Sequence, residues 1–352
     1  MDGMRALSVP PERWEQGSDF HLALEVGSSR HPWSKSPHTL WGSGRDALRA
    51  LVEWGCSTHG WRRILVPSYY CHDVTAKIHD QLEVAIYRHA PMTPNSSPVE
   101  ATEGDVVLVV ALFGMAPAPG VVGNGVVVED HTHDPLAPWA IRSRAHYAFA
   151  SLRKTLPLPD GGVLWSPRGL DGPSERGLTL DHDRGTLKRL AAMTLKRHYL
   201  SGREVPKAEV RTLAIDGERG IDRGEISAAS SFTRSRLPSL PAARWREVRA
   251  TNLHIFRAAL GAVPAVTLLD APFAATLLFD RSEDRDRVRS ALIAARIYAA
   301  VLWPLDEEHV PGIPPEHVEI SRRILSIHCD YRYDRTDMIR IASEIRAAGI
   351  PS

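Results

Sequence analysis

The sequence predicts an α/β protein: a mostly parallel central sheet with helices on both faces, followed by a smaller C-terminal α+β domain. Three observations lead there. Short β-rich runs recur from residue 63 to residue 166, and two are apolar almost throughout, as strands buried on both faces must be. Helix-compatible segments lie between some of these runs, the alternation expected of a parallel sheet. A second strand–helix–strand pattern then begins near residue 273.

Taken in chain order, residues 1–40 carry scattered Pro, Ser and Trp without a period and read as an irregular lead-in. The stretch GSGRDALRALVEWG (42–55) places Ala47, Leu48, Leu51 and Val52 at helical spacing, with Ser43 as N-cap and Gly55 as the stop. Strands are expected at 63–70, 84–90, 106–113, 125–130 and 161–166. Residues 180–202 form a basic helix, 203–226 are polar with no clear assignment, and 227–262 contain helices, one of them long. The second domain reads as a strand at 273–280, a helix at 284–297 and a strand at 298–305. A last helix is capped by Asp334 and ended by Gly349. The expected division is a lead-in over 1–40, a large domain over 41–245 and a small domain over 246–352.

Composition narrows the function. A formal net charge of +1 over 352 residues argues against binding nucleic acid or an acidic membrane through bulk charge. The longest apolar run, VVLVVALF, is far short of the roughly 20 residues that span a bilayer. The opening residues lack the apolar core of a signal peptide. Three widely spaced cysteines, Cys56, Cys71 and Cys329, indicate neither a disulfide framework nor a zinc motif, and a reduced cytoplasmic setting is expected. His131 and His133 next to Asp130 and Asp134 have no distant ligand pair to complete a metal site.

Lysine is scarce. Of 43 basic residues only six are lysines, and one, Lys154, stands alone in SLRKTLPLPDGG. In an open parallel sheet ligands bind outside the carboxyl ends of the strands. Three features converge on that edge: Asp130 at the end of GVVVED, the GSGR that opens the first helix, and Lys154 ahead of the next strand. A helix N-terminus for a phosphate, a strand-end acid for a ring nitrogen and an isolated amine for an imine are the parts of a pyridoxal phosphate (PLP) site. An arginine cannot replace that amine, because its guanidinium does not lose a proton.

The segments GSGRDAL, ILVPSYYCHDVTAKI, VVLVVALFGM, GVVVEDHTHDP and SLRKTLPLPDGG together resemble the DegT/StrS sugar-aminotransferase family of fold type I PLP-dependent enzymes, over roughly residues 40–166. The resemblance implies that Lys154 forms the Schiff base and moves the substrate Cα proton. It implies that Asp130 pairs with the pyridine nitrogen, that His133 lies near the ring hydroxyl, and that Ser43, Gly44 and Arg45 hold the phosphate with help from Ser151. The family's ring-stacking aromatic aligns with Cys71, and a small backbone shift would bring Tyr70 there instead. Trp303 and Arg332 are the substrate-contact candidates from the second domain.

The function so implied is an aminotransferase working from an amino acid donor to a keto acceptor, such as a keto-sugar, as a homodimer. Two alternatives stand beside it. One is a PLP-dependent lyase, desulfurase or decarboxylase acting on an amino acid, for which Cys329 would be a candidate nucleophile; the other is an inactive PLP-fold binding protein.

Overall fold

The computed structural model describes residues 7–92, 97–306 and 310–349. Its centre is a seven-stranded sheet of β1 (His38–Trp41), β2 (Arg63–Pro67), β3 (Glu83–Tyr87), β5 (Asp105–Val110), β7 (Val126–Asp130), β8 (Tyr147–Ser151) and β9 (Gly162–Trp165). Two small strands, β4 (Val99–Ala101) and β6 (Val121–Gly123), pair with each other beside it. The order across the large sheet is β1-β9-β8-β7-β5-β2-β3. From β3 to β8 every neighbour is parallel, whereas β9 runs against β8 and β1 against β9. The mostly parallel sheet expected from the apolar runs is the one observed.

The alternation of side chains explains why these runs are apolar at every position. Ile64 and Val66 join Val106, Leu108, Val128 and Leu164 in one buried cluster, while Leu65, Val107 and Val109 join another. Successive residues of a strand point to opposite faces, so burial on both faces demands an apolar residue at each step.

Helix α1 (Gly44–His59) follows β1, capped by Ser43 as the sequence suggests. It continues past Gly55 and ends at Gly60, whose φ of 66° is the left-handed conformation a helix C-terminus favours. Gly55 instead gives room for Trp61, whose ring would lie 2.1 Å from a Cβ at that position. The stretch after Cys71 is only a short helical turn, His72–Thr75.

The polar segment without a clear assignment is helix α3 (Lys207–Arg223), packed along α2 (Leu180–Leu200) as a hairpin. Beyond it α4 (Ala242–Leu260) leads to a three-stranded antiparallel sheet of β10 (Val266–Leu268), β11 (Ala275–Phe279) and β12 (Ile324–Ile327), with α5 (Ser282–Ala294), α6 (Pro315–Arg323) and α7 (Arg335–Ala347). The strand expected at 298–305 is not formed. Ala300 makes an isolated bridge to Ser326, and β12 takes the ladder position beside β11. Residues 301–305 run on as irregular chain, fixed where the Tyr69 hydroxyl donates to the Leu302 carbonyl at 2.7 Å.

Candidate active site

The strand directions decide where chemistry can collect. Strands β2, β5, β7 and β8 all end at one edge of the sheet, and β1 ends there too because two antiparallel steps restore its direction. The N-terminus of α1, Tyr70 after β2, Ala111 after β5, Asp130 at the end of β7 and Lys154 after β8 therefore meet. They line a cavity of about 140 Å³. Ser43, Gly44, Arg45, Cys71, His133, Ser151 and Trp303 line the same cavity, so nine of the ten residues singled out from sequence are brought together.

The tenth is Arg332, which lies outside that lining. Its guanidinium makes a bidentate pair with Asp330 (Nε to Oδ1, 2.7 Å; Nη2 to Oδ2, 2.8 Å) and donates to the carbonyls of Gly17 and Asp19. It ties residues 17–19 to the loop that follows β12. Cys329 is likewise remote: it is fully buried, donates to the Ile327 carbonyl, and burial pushes its thiol up to about 12.

Lys154 opens into the cavity and is exposed there. Partial desolvation by the cavity walls, helped by the neighbouring Arg153 charge, lowers its pKa; Cys71 and Glu218 pull the other way. A lysine so placed is easier to deprotonate. Asp130 behaves in the opposite sense. Burial raises its pKa, against hydrogen bonds from the Thr132 N–H to Oδ1 at 2.8 Å and from the Tyr70 hydroxyl to Oδ2 at 2.7 Å. Tyr70 thus meets the acid through its hydroxyl, which ties the edge of its ring to Asp130.

His133 is clasped among rings, stacked on Phe273 at 4.3 Å and on Trp303 at 5.3 Å between centroids. Burial, with the Lys154 charge behind it, drops its pKa to about 3, so it is neutral. Its Nδ1 accepts the Phe113 N–H at 3.1 Å, which assigns the ring proton to Nε2. His131, two residues earlier, instead contacts Glu129 at 2.7 Å.

At the α1 N-terminus the Ser43 hydroxyl caps the Asp46 N–H at 3.1 Å, while the first-turn N–H groups of Gly44 and Arg45 have no helical acceptor. Gly44 is required by close approach: a Cβ there would stand 2.9 Å from the Ser151 Cβ. The Arg45 side chain turns to α3, 3.1 Å from Asp222 and 3.5 Å from Glu218. Glu218 also receives both terminal nitrogens of Arg153, at 2.5 and 2.6 Å, and Arg189 at 2.8 Å. Burial alone would raise its pKa, but the arginines overcome that and bring it to about 2.

Glu218, Arg153, Thr132 and Phe149 are among the lining residues that the sequence did not single out. For Glu218 a signal existed: Val210, Leu213, Gly217 and Ile221 fall at helical spacing and would have identified α3 and its inward face. Strand β8 was not expected either, although YAFA is a short apolar run of the kind a strand buried on both faces requires, and β1 lies at the end of the stretch read as an irregular lead-in.

No protein-family profile matches the chain, and no curated protein matches it. Solved structures do. PseC from Helicobacter pylori, an aminotransferase involved in the biosynthesis of pseudoaminic acid, superposes with a TM-score of 0.59 at 9% identity, covering 95% of this chain and 99% of that one. Spr1654 from Streptococcus pneumoniae in its PMP form gives 0.56 at 12% identity, covering 93% and 92%. The sugar aminotransferase CalS13 from Micromonospora echinospora gives 0.54 at 13% identity, covering 92% and 98%. The fold is therefore that of the fold type I PLP-dependent transferases.

Proposed function

We propose that the chain is a PLP-dependent aminotransferase that moves an amino group from an amino acid donor to a keto acceptor. The observation that carries this reading is the meeting of Lys154, Asp130 and the α1 N-terminus in one cavity at the carboxyl edge of a fold type I sheet. The residues fit the cofactor. A lysine with a lowered pKa faces a buried acid, and a helix N-terminus with two unclaimed N–H groups stands beside a glycine that leaves no room for a side chain.

When bound, pyridoxal phosphate supplies an electron sink for the electrons of a broken Cα–H bond. The protein's own residues supply the rest. Lys154 Nζ, once neutral, would take the proton from the substrate Cα and deliver it to the aldehyde-derived carbon of the cofactor. Asp130 would hold the proton on the ring nitrogen, and His133, neutral with its proton on Nε2, would be the donor to the ring oxygen. Gly44 and Arg45 bind the phosphate through backbone N–H groups at the positive end of α1, with Ser43 and Ser151 alongside. Tyr70, Phe149 and Trp303 wall the ring and exclude water.

The acceptor class that belongs to this proposal is a keto-sugar, supported by the sugar aminotransferases that share the fold. A homodimer and a cytoplasmic setting are part of the same reading. No membrane-crossing helix occurs among the described residues.

The test is absorbance of the purified protein with added PLP, beside Lys154→Ala. The expected result is a visible band that survives desalting and that borohydride fixes to the Lys154 peptide, with no band in the variant. Amino acid donors should then bleach the band reversibly, as transamination requires. A band absent from both proteins would overturn the cofactor assignment, and irreversible release of an α-keto product without bleaching would favour a lyase.

A further inference from the structure

We infer that Tyr70 is a positioning residue: its hydroxyl fixes Asp130 Oδ2 and so sets how strongly that acid binds the ring nitrogen of the cofactor. The inference rests on the PLP reading above and deepens it.

A carboxylate has about four acceptor positions. In Asp130 two residues supply the donors, Thr132 through its N–H on Oδ1 and Tyr70 through its hydroxyl on Oδ2, and the group lines the cavity. Thr132 is itself anchored, its hydroxyl accepting the Ser151 N–H at 3.0 Å, so β7 and β8 hold one side of the acid. Tyr70 holds the other, and its own position is over-determined. The preceding Ser68 is bonded to His317 at 2.8 Å and to the His89 carbonyl at 3.2 Å; Tyr69 is bonded to Leu302. Trp303 packs edge-on against the Tyr70 ring at 5.9 Å. The phenol has one orientation, and in it the hydroxyl points at the acid.

The choice of a phenol has a physical reason. Arg or Lys at this place would satisfy Asp130, but its charge would repel a protonated ring nitrogen and compete with it for the same oxygens. A neutral donor stabilises the carboxylate without cancelling its charge. Burial and the adjacent Asp130 raise the Tyr70 pKa well above its ordinary value, so the group stays a donor throughout the working range.

The experiment measures affinity rather than activity. Equilibrium binding of PLP and of its 1-deaza analogue, in which C–H replaces the ring nitrogen, is compared for the wild type and Tyr70→Phe. A hydrogen bond to a charged group predicts roughly tenfold weaker PLP binding by Tyr70→Phe, with the deaza analogue changed much less. In an Asp130→Asn background the same substitution should have no further effect on PLP, which closes a double-mutant cycle. Equal losses for the two ligands would mean that Tyr70 only packs, and would overturn the inference. Unchanged or tighter PLP binding by Tyr70→Phe would overturn it as well. A wild-type protein that binds neither ligand would instead sink the cofactor reading, and the inference with it.

Discussion

Asp130 and Asp160 are both buried acids near the edge where the cavity opens, and they serve opposite ends. Asp160 accepts from His182 Nε2 at 3.0 Å, from the Ser230 N–H and hydroxyl at 2.8 Å each, and from the Thr233 hydroxyl. Those four donors fill a carboxylate's capacity. Asp130 is held by two residues, Thr132 and Tyr70, and has a cavity in front of it. The saturated acid is a clamp: it joins the loop that carries Lys154 to the start of α2 and to the cap of the short helix Ser231–Arg236. The unsaturated acid has capacity left for a ligand. Burial is common to the two acids; what differs is that one is enclosed by protein donors and the other lines a cavity.

Replacing the two acids should break them apart. Asp160→Ala strands four donors around an empty site, and removing one member of a buried network costs about 3–5 kcal/mol; urea denaturation should show a loss of that size or no folded protein. Asp130→Asn keeps the shape and one acceptor oxygen for the Thr132 N–H, while its NH2 group can donate to the Tyr70 hydroxyl in place of the contact it loses, so its denaturation midpoint should stay near wild type while PLP affinity falls. Similar stability losses in both variants would erase the distinction.

Acid sharpens the contrast, because the cavity side carries a neutral imidazole. His133 is depressed from 6.5 to about 3 by burial and the Lys154 charge, and burial also lowers His328 and His89 to about 4. In the unfolded chain these groups protonate near 6.5, so the unfolded state binds more protons below that pH and gains on the folded one. The contribution is complete above pH 6.5 and is lost as pH falls from there towards 4. Each imidazole accounts for up to about 1.4 kcal/mol per pH unit in that window. Denaturation midpoints should therefore drop between pH 6.5 and pH 4.5, and His133→Gln should flatten the slope.

The smallest effect is expected at the phosphate end. Ser43 caps α1 through its hydroxyl, so Ser43→Ala should cost about 1 kcal/mol and Ser43→Gly less. If the phosphate is held by backbone N–H groups, PLP affinity should change little in the glycine variant. A large loss there would give the Ser43 hydroxyl a direct part in binding.

The site was more legible than the second domain. Asp130 ends a strand that the sequence shows, GSGR opens the first helix and Lys154 precedes the next strand, whereas β1 and β8, the strands that carry GSGR and Lys154 to the carboxyl edge, emerge only in the structure. The strand expected at 298–305 was misread because YAAVLWPL has a strand's composition. Only competition for the ladder beside β11, won by residues 324–327, shows otherwise. Arg332 read as a candidate for binding an anion because an arginine's sequence neighbours do not reveal its partner, and here that partner is Asp330, two residues away.

The sequence by itself determined the parallel core of the sheet, β2, β3, β5 and β7, and the start of the first helix, because buried strands impose an apolar residue at every step and helices impose their period; β1 and β8, which bring α1 and Lys154 to the same edge, were decided by the fold. Tertiary structure alone decided how each buried polar group is satisfied: Tyr70 on Asp130, four donors on Asp160, three arginines on Glu218. Those pairings join residues between roughly 20 and 180 positions apart, and no local pattern encodes which donor a distant carboxylate will meet.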